Sequence, residues 1–169
     1  EQVPQAMAAK DLTFVRQQPQ LGTGHALAQA QPHPGNAALT LVLYGDVPLI
    51  GEETLAAMIA GGGDRLTLLT AELADPAGYG RIIRNKRGSI TAIVEEKDAS
   101  AEQRKLNEIN TGIMALPTER LKDWTAKPSN PNAQREYYLT DVVPLAVADK
   151  VAVGSVKARA EWEILGVNS

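Results

Sequence analysis

Apolar and polar residues form short alternating blocks along the chain, and these blocks predict strands and helices in turn. The apolar run 39–44 is rich in residues that favour strands and is too short for an independent helix. It therefore predicts a strand buried on both faces in the middle of a parallel sheet. Residues 65–73 predict a second strand, and 53–59 between them carry apolar residues at helical spacing. This order favours parallel strands joined by right-handed crossovers.

The same pattern extends through the rest of the chain. Further strands are predicted at residues 12–15, 108–115 and 151–156, and a hairpin is predicted from 81–84 and 89–94 around the turn 85–88. Further helices are predicted at 118–125 and at 141–148, where Thr140 is the expected N-cap. Ser100 and Gln103 have the spacing of a capping box for a short polar helix. The predicted fold is therefore α/β, with a mostly parallel sheet and a small hairpin insertion.

The composition fits one domain and excludes several functional classes. The 169 residues include 44% hydrophobic and 22% charged residues, which allow a substantial core. The net charge of -3 argues against a nucleic-acid surface. The absence of cysteine excludes a disulfide framework, a thiol nucleophile and a cysteine zinc site. No apolar run has signal-peptide character or membrane-spanning length, so the expected location is the cytoplasm, with no membrane partner.

The end of the first predicted strand carries the first candidate site. Gly45 and Asp46 follow the run 39–44, and Pro48 marks where the strand stops. In open α/β sheets, ligands bind outside the carboxyl ends of the strands, where a carboxylate can hold a metal ion. An ordinary turn would have the same sequence, so the functional interpretation depends on other residues converging on this edge.

A second candidate lies in the loop that precedes an alanine-rich helix. Gly22, Thr23 and Gly24 would leave backbone N–H groups open to a carbonyl or an anion. The alternative is a flexible loop in which Thr23 is the helix N-cap, since neither common nucleotide-binding fingerprint is present. His25 is interpreted as a packed or capping histidine, and His33 as an exposed loop residue.

Two polar residues at predicted strand ends also stand out. Glu95 closes the second arm of the hairpin, where an acidic residue is usually only solvated, so a role for it needs independent support. Asn110 lies near the start of the strand 108–115, and a buried amide is costly unless its hydrogen bonds are satisfied. The amide would therefore serve either a ligand or a local turn, and the spacing does not choose between them.

Seven segments together resemble one known enzyme family. They are, in order, LGTGHA, LYGDVPLI, DPAGYGRI, IVEEKDA, EINTGI, EYYLTD and GVN. In this order and at these spacings they resemble the uridyltransferase domain of the bacterial bifunctional N-acetylglucosamine-1-phosphate uridyltransferase/glucosamine-1-phosphate acetyltransferases. The likeness covers nearly the whole chain. A single motif such as YGD is shared with many sugar nucleotidyltransferases, but the full set is specific.

The resemblance implies a Rossmann-like nucleotidyltransferase fold and a Mg²⁺-dependent reaction. Uridylyl transfer from UTP to N-acetylglucosamine 1-phosphate would give UDP-N-acetylglucosamine and pyrophosphate, for peptidoglycan and lipopolysaccharide precursors. Tyr44 and Gly45 lead to Asp46, which in this family binds Mg²⁺ together with the asparagine that matches Asn168. Mg²⁺ prefers oxygen ligands and keeps several waters, so a set of one carboxylate, one amide oxygen and substrate phosphates is chemically reasonable.

The resemblance also implies binding roles for the other matching positions. They are Gln17 at the uracil edge, Gly22 and Thr23 in the base pocket, Gly80, Glu95 and Asn110 at the sugar, and Tyr138 and Thr140 on the sugar-phosphate side.

The sequence departs from the family at both ends. The glycine-rich signature LAAGxGTRM and the lysine after it are missing, as is the left-handed β-helix that performs acetyl transfer and forms the family's homotrimer. Residues 1–169 are therefore expected to be the central and C-terminal part of the uridyltransferase domain, without its first strand. Two alternatives stay open: a nucleotidyltransferase of different sugar or base specificity, and a nucleotide-sugar-binding or inactive fragment without catalysis.

Overall fold

The computed structural model describes residues 4, 6–7, 11–126 and 136–167 and has one mixed sheet with helices packed against it. The strands are β1 (Leu39–Val42), β2 (Leu66–Glu72), β3 (Gly80–Arg84), β4 (Ile90–Val94), β5 (Glu108–Pro117) and β6 (Val153–Lys157). The helices are α1 (Thr23–Ala30), α2 (Glu52–Gly61), α3 (Ala101–Arg104), α4 (Thr118–Thr125) and α5 (Val142–Ala148), with 3-10 turns at Leu139–Asp141 and Glu161–Ile164. None of the described helices combines the length and the apolar character needed to cross a membrane.

The longest strand, β5, is the centre of the sheet. One edge of β5 pairs with β2, and the other edge is shared by β3 and β1. The strand order is β4-β3-β5-β2-β6, with β1 joined to β5 beside this path. Asn110 lies opposite Gly80 of β3, and Met114 lies opposite Val42 of β1. This pairing brings the end of β1 and the start of β3 to the same edge of β5.

The α/β fold and the hairpin are confirmed, but the prediction of a mostly parallel sheet is wrong for the described strands. Only β2 and β6 pair in parallel, and every other pairing is antiparallel. The reason is that the central strand β5 runs opposite to β1, β2 and β3, so the parallel strands β1 and β2 lie on either side of it and do not pair with each other. The prediction that the run 39–44 is the buried central strand is also wrong, because β1 is half-buried and pairs only with β5 among the described residues.

The predicted strand at 12–15 does not form. Leu12, Phe14 and Val15 are exposed, and the segment is irregular in the described structure. Its sequence favours a strand, but strand structure depends on hydrogen bonds from a neighbouring strand, and none of the described strands pairs with it. Side-chain propensity alone therefore gave the wrong prediction.

Two apolar clusters cover the two faces of the sheet. Alternate residues of β5 point to opposite faces, as in any strand. Met114 and Leu116 join the cluster that also includes Leu121 and Trp124 of α4. On the other face, the apolar residues of β5 pack with α2 and with the C-terminal 3-10 turn, and the buried members include Met58, Ile109, Ile113 and Ile164. The sheet is thus a middle layer between helical segments.

Local hydrogen bonding confirms one predicted cap and corrects two others. Ser100 and Gln103 form the predicted capping box at α3. Thr140 does not cap α5, because it lies inside the preceding 3-10 turn and Asp141 is the N-cap residue. Thr23 is the first residue of α1 and not its cap, since its hydroxyl accepts the Leu139 N–H at 3.0 Å. The side chains of Thr23 and Thr140 instead form hydrogen bonds with Leu139 and Glu95, which lie 116 and 45 residues away in sequence.

Gly112 is the position in β5 where the backbone leaves room for an aromatic ring. Its φ is +86°, which favours glycine. A Cβ at this position would lie 2.1 Å from Cε2 of Tyr44, so the ring sits directly against the glycine backbone. Gly112 lies between the residues that pair with β3 and those that pair with β1. The ring of Tyr44 therefore fills the gap between these two strands.

Glu163 is a buried carboxylate that fixes the C-terminal segment. It is 3% exposed. Its Oε1 accepts the Gly51 N–H at 3.1 Å and the Thr54 hydroxyl at 2.8 Å, and its Oε2 accepts the Arg159 N–H at 2.8 Å. Gly51 is the N-cap residue of α2, so the carboxylate also lies at the positive end of that helix. Burial alone would raise the pKa of Glu163, but these hydrogen bonds outweigh it and lower the pKa.

We expect Gly112→Ala to lower the free energy of unfolding by about 2–4 kcal/mol, because both the positive φ and the contact with Tyr44 oppose a methyl group. Gly88→Ala is the matched control: its φ is +81°, and no atom lies within 4 Å of the added Cβ. This control should lose only the backbone part, about 1 kcal/mol. Urea unfolding of both variants measures the difference, and equal losses would contradict the packing described for Tyr44.

We expect Glu163→Gln to destabilise the protein by about 2 kcal/mol at neutral pH, because an amide cannot accept all of the hydrogen bonds that the carboxylate accepts. An unfolded glutamate titrates near pH 4.3, and the folded pKa is lower. The stabilisation is therefore present above about pH 4.3 and is lost as the pH falls through the folded pKa. Melting temperatures measured against pH should converge for wild type and variant in acid. The exposed Glu161→Gln is the control, and curves that stay parallel would contradict the assignment.

Candidate active site

A cavity of about 480 Å³ opens beside β5, where the chain leaves β1 and where β3 begins. Its walls include predicted site residues from four separate segments of the chain: Tyr44, Asp46, Gly80, Glu95 and Asn110. A smaller pocket of about 210 Å³ adjoins it, because both are lined by Tyr44 and Glu95. The smaller pocket adds two further predicted residues, Thr23 and Tyr138. The structure thus brings seven predicted residues to one pair of connected cavities.

Asn110 brings an unpaired polar atom to the cavity wall. Its side chain is 8% exposed, and its Oδ1 has no hydrogen-bond partner. A buried acceptor without a donor costs about 1–3 kcal/mol. The register of β5 places this residue opposite Gly80, so the amide lies where β3 and β5 meet. An O–H or N–H group of a ligand in the cavity would satisfy the free oxygen.

Glu95 is held against the backbone at the start of β3. A Cβ on Gly80 would lie 3.1 Å from Oε2 of Glu95, so only glycine allows this approach without displacement. The hydroxyl of Thr140 donates to Oε1 of Glu95 at 3.1 Å. Burial raises the pKa of Glu95, the Thr140 hydrogen bond opposes this, and the nearby carboxylates of Asp98 and Asp141 add to the increase. Glu95 therefore combines a fixed position with an acceptor group suited to sugar hydroxyls.

Tyr44 forms the wall between the two cavities. Its ring packs against Gly112, and its hydroxyl has a side-chain hydrogen bond with Thr23. Burial raises the pKa of Tyr44, the bond with Thr23 opposes this, and the carboxylates of Glu95 and Asp46 raise it further. The phenol is consequently neutral at physiological pH. It links the loop before α1 to the strand β5.

Asp46 supplies an exposed carboxylate to the cavity wall. Its backbone carbonyl accepts the N–H of Val167 at 2.7 Å, so the C-terminal segment lies beside it. Asn168, the second predicted magnesium ligand, lies outside the described residues. No group of three or more His, Cys, Asp or Glu residues in the described ranges could hold a metal ion. A single exposed carboxylate fits Mg²⁺ that is bound mainly by water and substrate phosphates, because Mg²⁺ is typically held by one or two carboxylates.

The predicted base-binding residues occupy the loop before α1. The amide nitrogen Nε2 of Gln17 donates to the Gly22 carbonyl at 2.9 Å and lies 3.1 Å from Nδ1 of His25. Gly22 and Gly24 allow the backbone of Tyr137 to approach closely, and the Gly24 N–H donates to the Tyr137 carbonyl at 2.7 Å. The Gly24 N–H of this loop is therefore already bonded to a backbone carbonyl of the same chain. His25 packs between Gln17 and Gln29, in agreement with its interpretation as a packed residue.

Four other predicted residues of the described ranges line neither cavity, namely Gln17, Gly22, Gly45 and Thr140. Thr140 contacts the site through its hydrogen bond to Glu95. His33 is exposed, as predicted.

The structure adds lining residues that the sequence did not indicate. The additions include Tyr79, Thr111, Gly112 and the segment 164–166. The aromatic residue inside the turn-rich segment DPAGYG was the available signal for Tyr79. No sequence pattern marked Gly112, because its role depends on a ring that arrives from β1.

A larger groove lies at the other end of β1. Its volume is about 790 Å³, and its walls include Asn36, Asp64, Thr118 and Lys122. It contains none of the predicted site residues, and none of its lining side chains has a buried polar atom without a partner. The smaller cavity with Asn110 is therefore the better candidate.

The chemistry of the two connected cavities suits a polyhydroxylated ligand. Glu95, Asn110 and Tyr44, which all carry hydrogen-bonding groups, line the larger cavity. In the described part of the chain, no lysine or arginine lines either cavity. Charge on a bound phosphate would therefore have to be neutralised from elsewhere, and Asp46 offers a ligand for a cation that could do so.

Comparison with known proteins places the chain in a family. The sequence model described as nucleotidyl transferase matches residues 1–168. Similar relatives named "Bifunctional protein GlmU" include that of Dechloromonas aromatica, which is 56% identical over 169 residues, covering 100% of this chain and 37% of the relative. The relative from Aromatoleum aromaticum is 60% identical over 154 residues, covering 90% of this chain and 34% of the relative. The relative from Methylibium petroleiphilum is 57% identical over 177 residues, covering 100% of this chain and 38% of the relative.

The chain therefore spans little more than a third of the length of the relatives it matches. The family match, in contrast, extends over nearly all of this chain and includes every segment that builds the two cavities. The chain belongs to the nucleotidyl transferase family.

Proposed function

We propose that the protein transfers a uridylyl group from UTP to N-acetylglucosamine 1-phosphate and releases pyrophosphate. A phosphate oxygen of the sugar phosphate attacks the α-phosphorus of UTP. The bond from that phosphorus to the pyrophosphate oxygen breaks, and UDP-N-acetylglucosamine forms. The observation that carries the proposal is the convergence of Gly80, Glu95 and Asn110 with Asp46 in one cavity. The family resemblance assigns these residues to the sugar and the metal.

The sugar side is supported by the hydrogen-bonding groups of the cavity. Glu95 can accept from sugar hydroxyls, and its contact with Thr140 keeps the carboxylate in place. The free Oδ1 of Asn110 can accept from a further O–H or N–H group. Binding that leaves such a group unpaired is disfavoured, so a sugar lacking the matching donor should bind less well. This arrangement favours discrimination among sugar phosphates.

The metal side rests on Asp46 and, as a proposal, on Asn168. The bond between Val167 and the Asp46 carbonyl supports this pairing, because Asn168 is the next residue in the chain. When bound, Mg²⁺ would supply neutralisation of charge on the phosphate oxygens. The protein contributes mainly alignment of the two substrates, since nucleotidyl transfer needs little covalent help.

The acetyl transfer and the trimer implied by the resemblance are proposals for the whole protein, as are its cytoplasmic location and its role in cell-envelope precursors. One observation favours a second candidate for this chain alone, namely binding of the nucleotide sugar without catalysis. No basic side chain lines the cavities in the described ranges. Calorimetry with UDP-N-acetylglucosamine, beside an assay of pyrophosphate release, separates the two.

Asp46→Asn should reduce Mg²⁺-dependent formation of UDP-N-acetylglucosamine by the intact protein at least about 100-fold, since it removes the charged ligand for the ion. The half-saturating Mg²⁺ concentration should rise as well. Asp64→Asn is the control, because Asp64 is exposed and lies in the groove at the other end of β1. A rate within a few-fold of wild type for Asp46→Asn would show that the metal role is wrong.

Asn110→Ala should raise the KM for N-acetylglucosamine 1-phosphate about 10-fold and leave the KM for UTP within about 2-fold, because one sugar contact is lost. The variant's preference for N-acetylglucosamine 1-phosphate over glucose 1-phosphate should fall. The melting temperature should change little, since Oδ1 has no partner in the free protein. Asn107→Ala, an exposed residue just before β5, is the control. Equal increases in both KM values would contradict a specific sugar contact.

A further inference from the structure

Arg81 is a fully buried cation directly behind the proposed sugar site. Its side chain is 2% exposed, and it follows Gly80 in β3. Arginine is rarely buried to this extent unless it is paired. A buried ion pair does not by itself explain stability, because removing charges from water offsets most of their attraction. The position therefore calls for another explanation.

The guanidinium group of Arg81 contacts three segments that surround the cavity. Nη1 donates to the carbonyl of Tyr79, in the loop that lines the cavity. Nη2 lies 2.8 Å from Oε2 of Glu96, the residue after Glu95. Nη2 also donates to the carbonyl of Arg104, at the end of α3, at 3.4 Å. One planar group thus joins the loop before β3, the end of β4 and the helix that follows.

Side-chain alternation explains why this anchor does not itself touch the ligand. Neighbouring residues of a strand point to opposite sides, which separates Arg81 from Gly80 in β3, whereas Glu96 lies in the turn after β4. Gly80 and Glu95 line the cavity, whereas their neighbours Arg81 and Glu96 form an ion pair with each other. This contact outside the cavity adds to the β3–β4 pairing, in which Arg81 lies opposite Val94, in holding the two cavity residues together.

We propose that Arg81 is a positioning residue for the sugar 1-phosphate and fixes the two walls that Gly80 and Glu95 provide. This inference rests on the proposed function. The other substrate, UTP, is expected to contact Gln17, Gly22 and Thr23 at the loop before α1, and Thr23 lines only the smaller cavity. Loss of Arg81 should therefore weaken binding of the sugar phosphate selectively, because small displacements of positioned groups have large effects on rate and binding.

The chain offers a matched control on the same strand. Arg84 lies three residues further along β3 and also pairs with a glutamate, with Nε and Nη2 at 2.7 and 2.6 Å from the carboxylate oxygens of Glu108. It also donates to the Gly88 carbonyl at 2.8 Å. None of these residues lines the cavity. Arg84→Met removes a second arginine–glutamate pair from β3 without touching the walls of the site, although the Arg84 side chain is 35% exposed and that of Arg81 is 2% exposed.

The test compares Arg81→Met, Arg81→Lys and Arg84→Met in the intact protein. We expect Arg81→Met to raise the KM for N-acetylglucosamine 1-phosphate at least about 10-fold and to leave the KM for UTP within about 2-fold. Arg81→Lys should give an intermediate increase, because lysine keeps the charge beside Glu96 but loses the fork of donors. Arg84→Met should leave both KM values within about 2-fold, and melting temperatures of all variants separate binding from stability.

Several outcomes would overturn the inference. They are an unchanged sugar-phosphate KM in Arg81→Met, and increases in both KM values that follow the melting temperature alone. If Arg81→Met does not fold, Arg81→Lys and Glu96→Gln decide in its place, and a sugar-phosphate KM within about 2-fold of wild type in both would contradict the proposal. A wild-type protein without turnover of N-acetylglucosamine 1-phosphate overturns the proposed function, whereas an active wild type with insensitive Arg81 variants overturns this inference only.

Discussion

The hydrogen bonds along the second edge of β5 determine where the candidate site lies. On that edge β3 pairs as far as Asn110 and β1 begins to pair at Met114, so residues 111–113 have no strand beside them. The ring of Tyr44 occupies this gap against Gly112. A gap between two strands on one edge creates a recess with rigid sides, and the backbone on both sides of it is held by regular pairing. The residues that line the recess inherit this rigidity, which a binding site built on loops alone would lack.

Seven of the residues predicted for the site line the two adjoining cavities, whereas the predicted sheet architecture was partly wrong. Asp46 and Glu95 each follow a predicted strand, and their roles were implied by the family resemblance; both strands form at nearly the expected positions. Strand direction, however, leaves no trace in a pattern of apolar residues, and β5 reads the same in either orientation. The pairing of β5 with β1 and β2 is a long-range property, and it decided both the mixed sheet and the displacement of β1 from the centre.

Local capping rules failed for a related reason. The hydroxyls of Thr23 and Thr140 have the spacing of helix caps, but Thr23 accepts from the backbone of Leu139 and Thr140 donates to Glu95. A hydroxyl bonds to whichever partner the fold presents, and tertiary partners compete with the local N–H groups. The capping box of Ser100 and Gln103 did form, because that short exposed helix has no such competitor. The deviations from local rules thus lie at the proposed site and the agreement lies away from it.

The two carboxylates of the cavity differ in a way that separates their chemical tasks. Glu95 is largely removed from water, holds a hydrogen bond from Thr140 and has a raised pKa, so its negative charge is weakly favoured. Such a carboxylate is suited to neutral hydrogen-bond donors such as a sugar hydroxyl. Asp46 is exposed, and its carboxylate is free to take water or a cation beside it. Because the proposed substrates carry several phosphate charges, an anion at Asp46 would repel them unless a cation lies between them. The partial burial of Glu95 and the exposure of Asp46 therefore support the proposal that the sugar binds beside the hairpin and the phosphates beside Asp46.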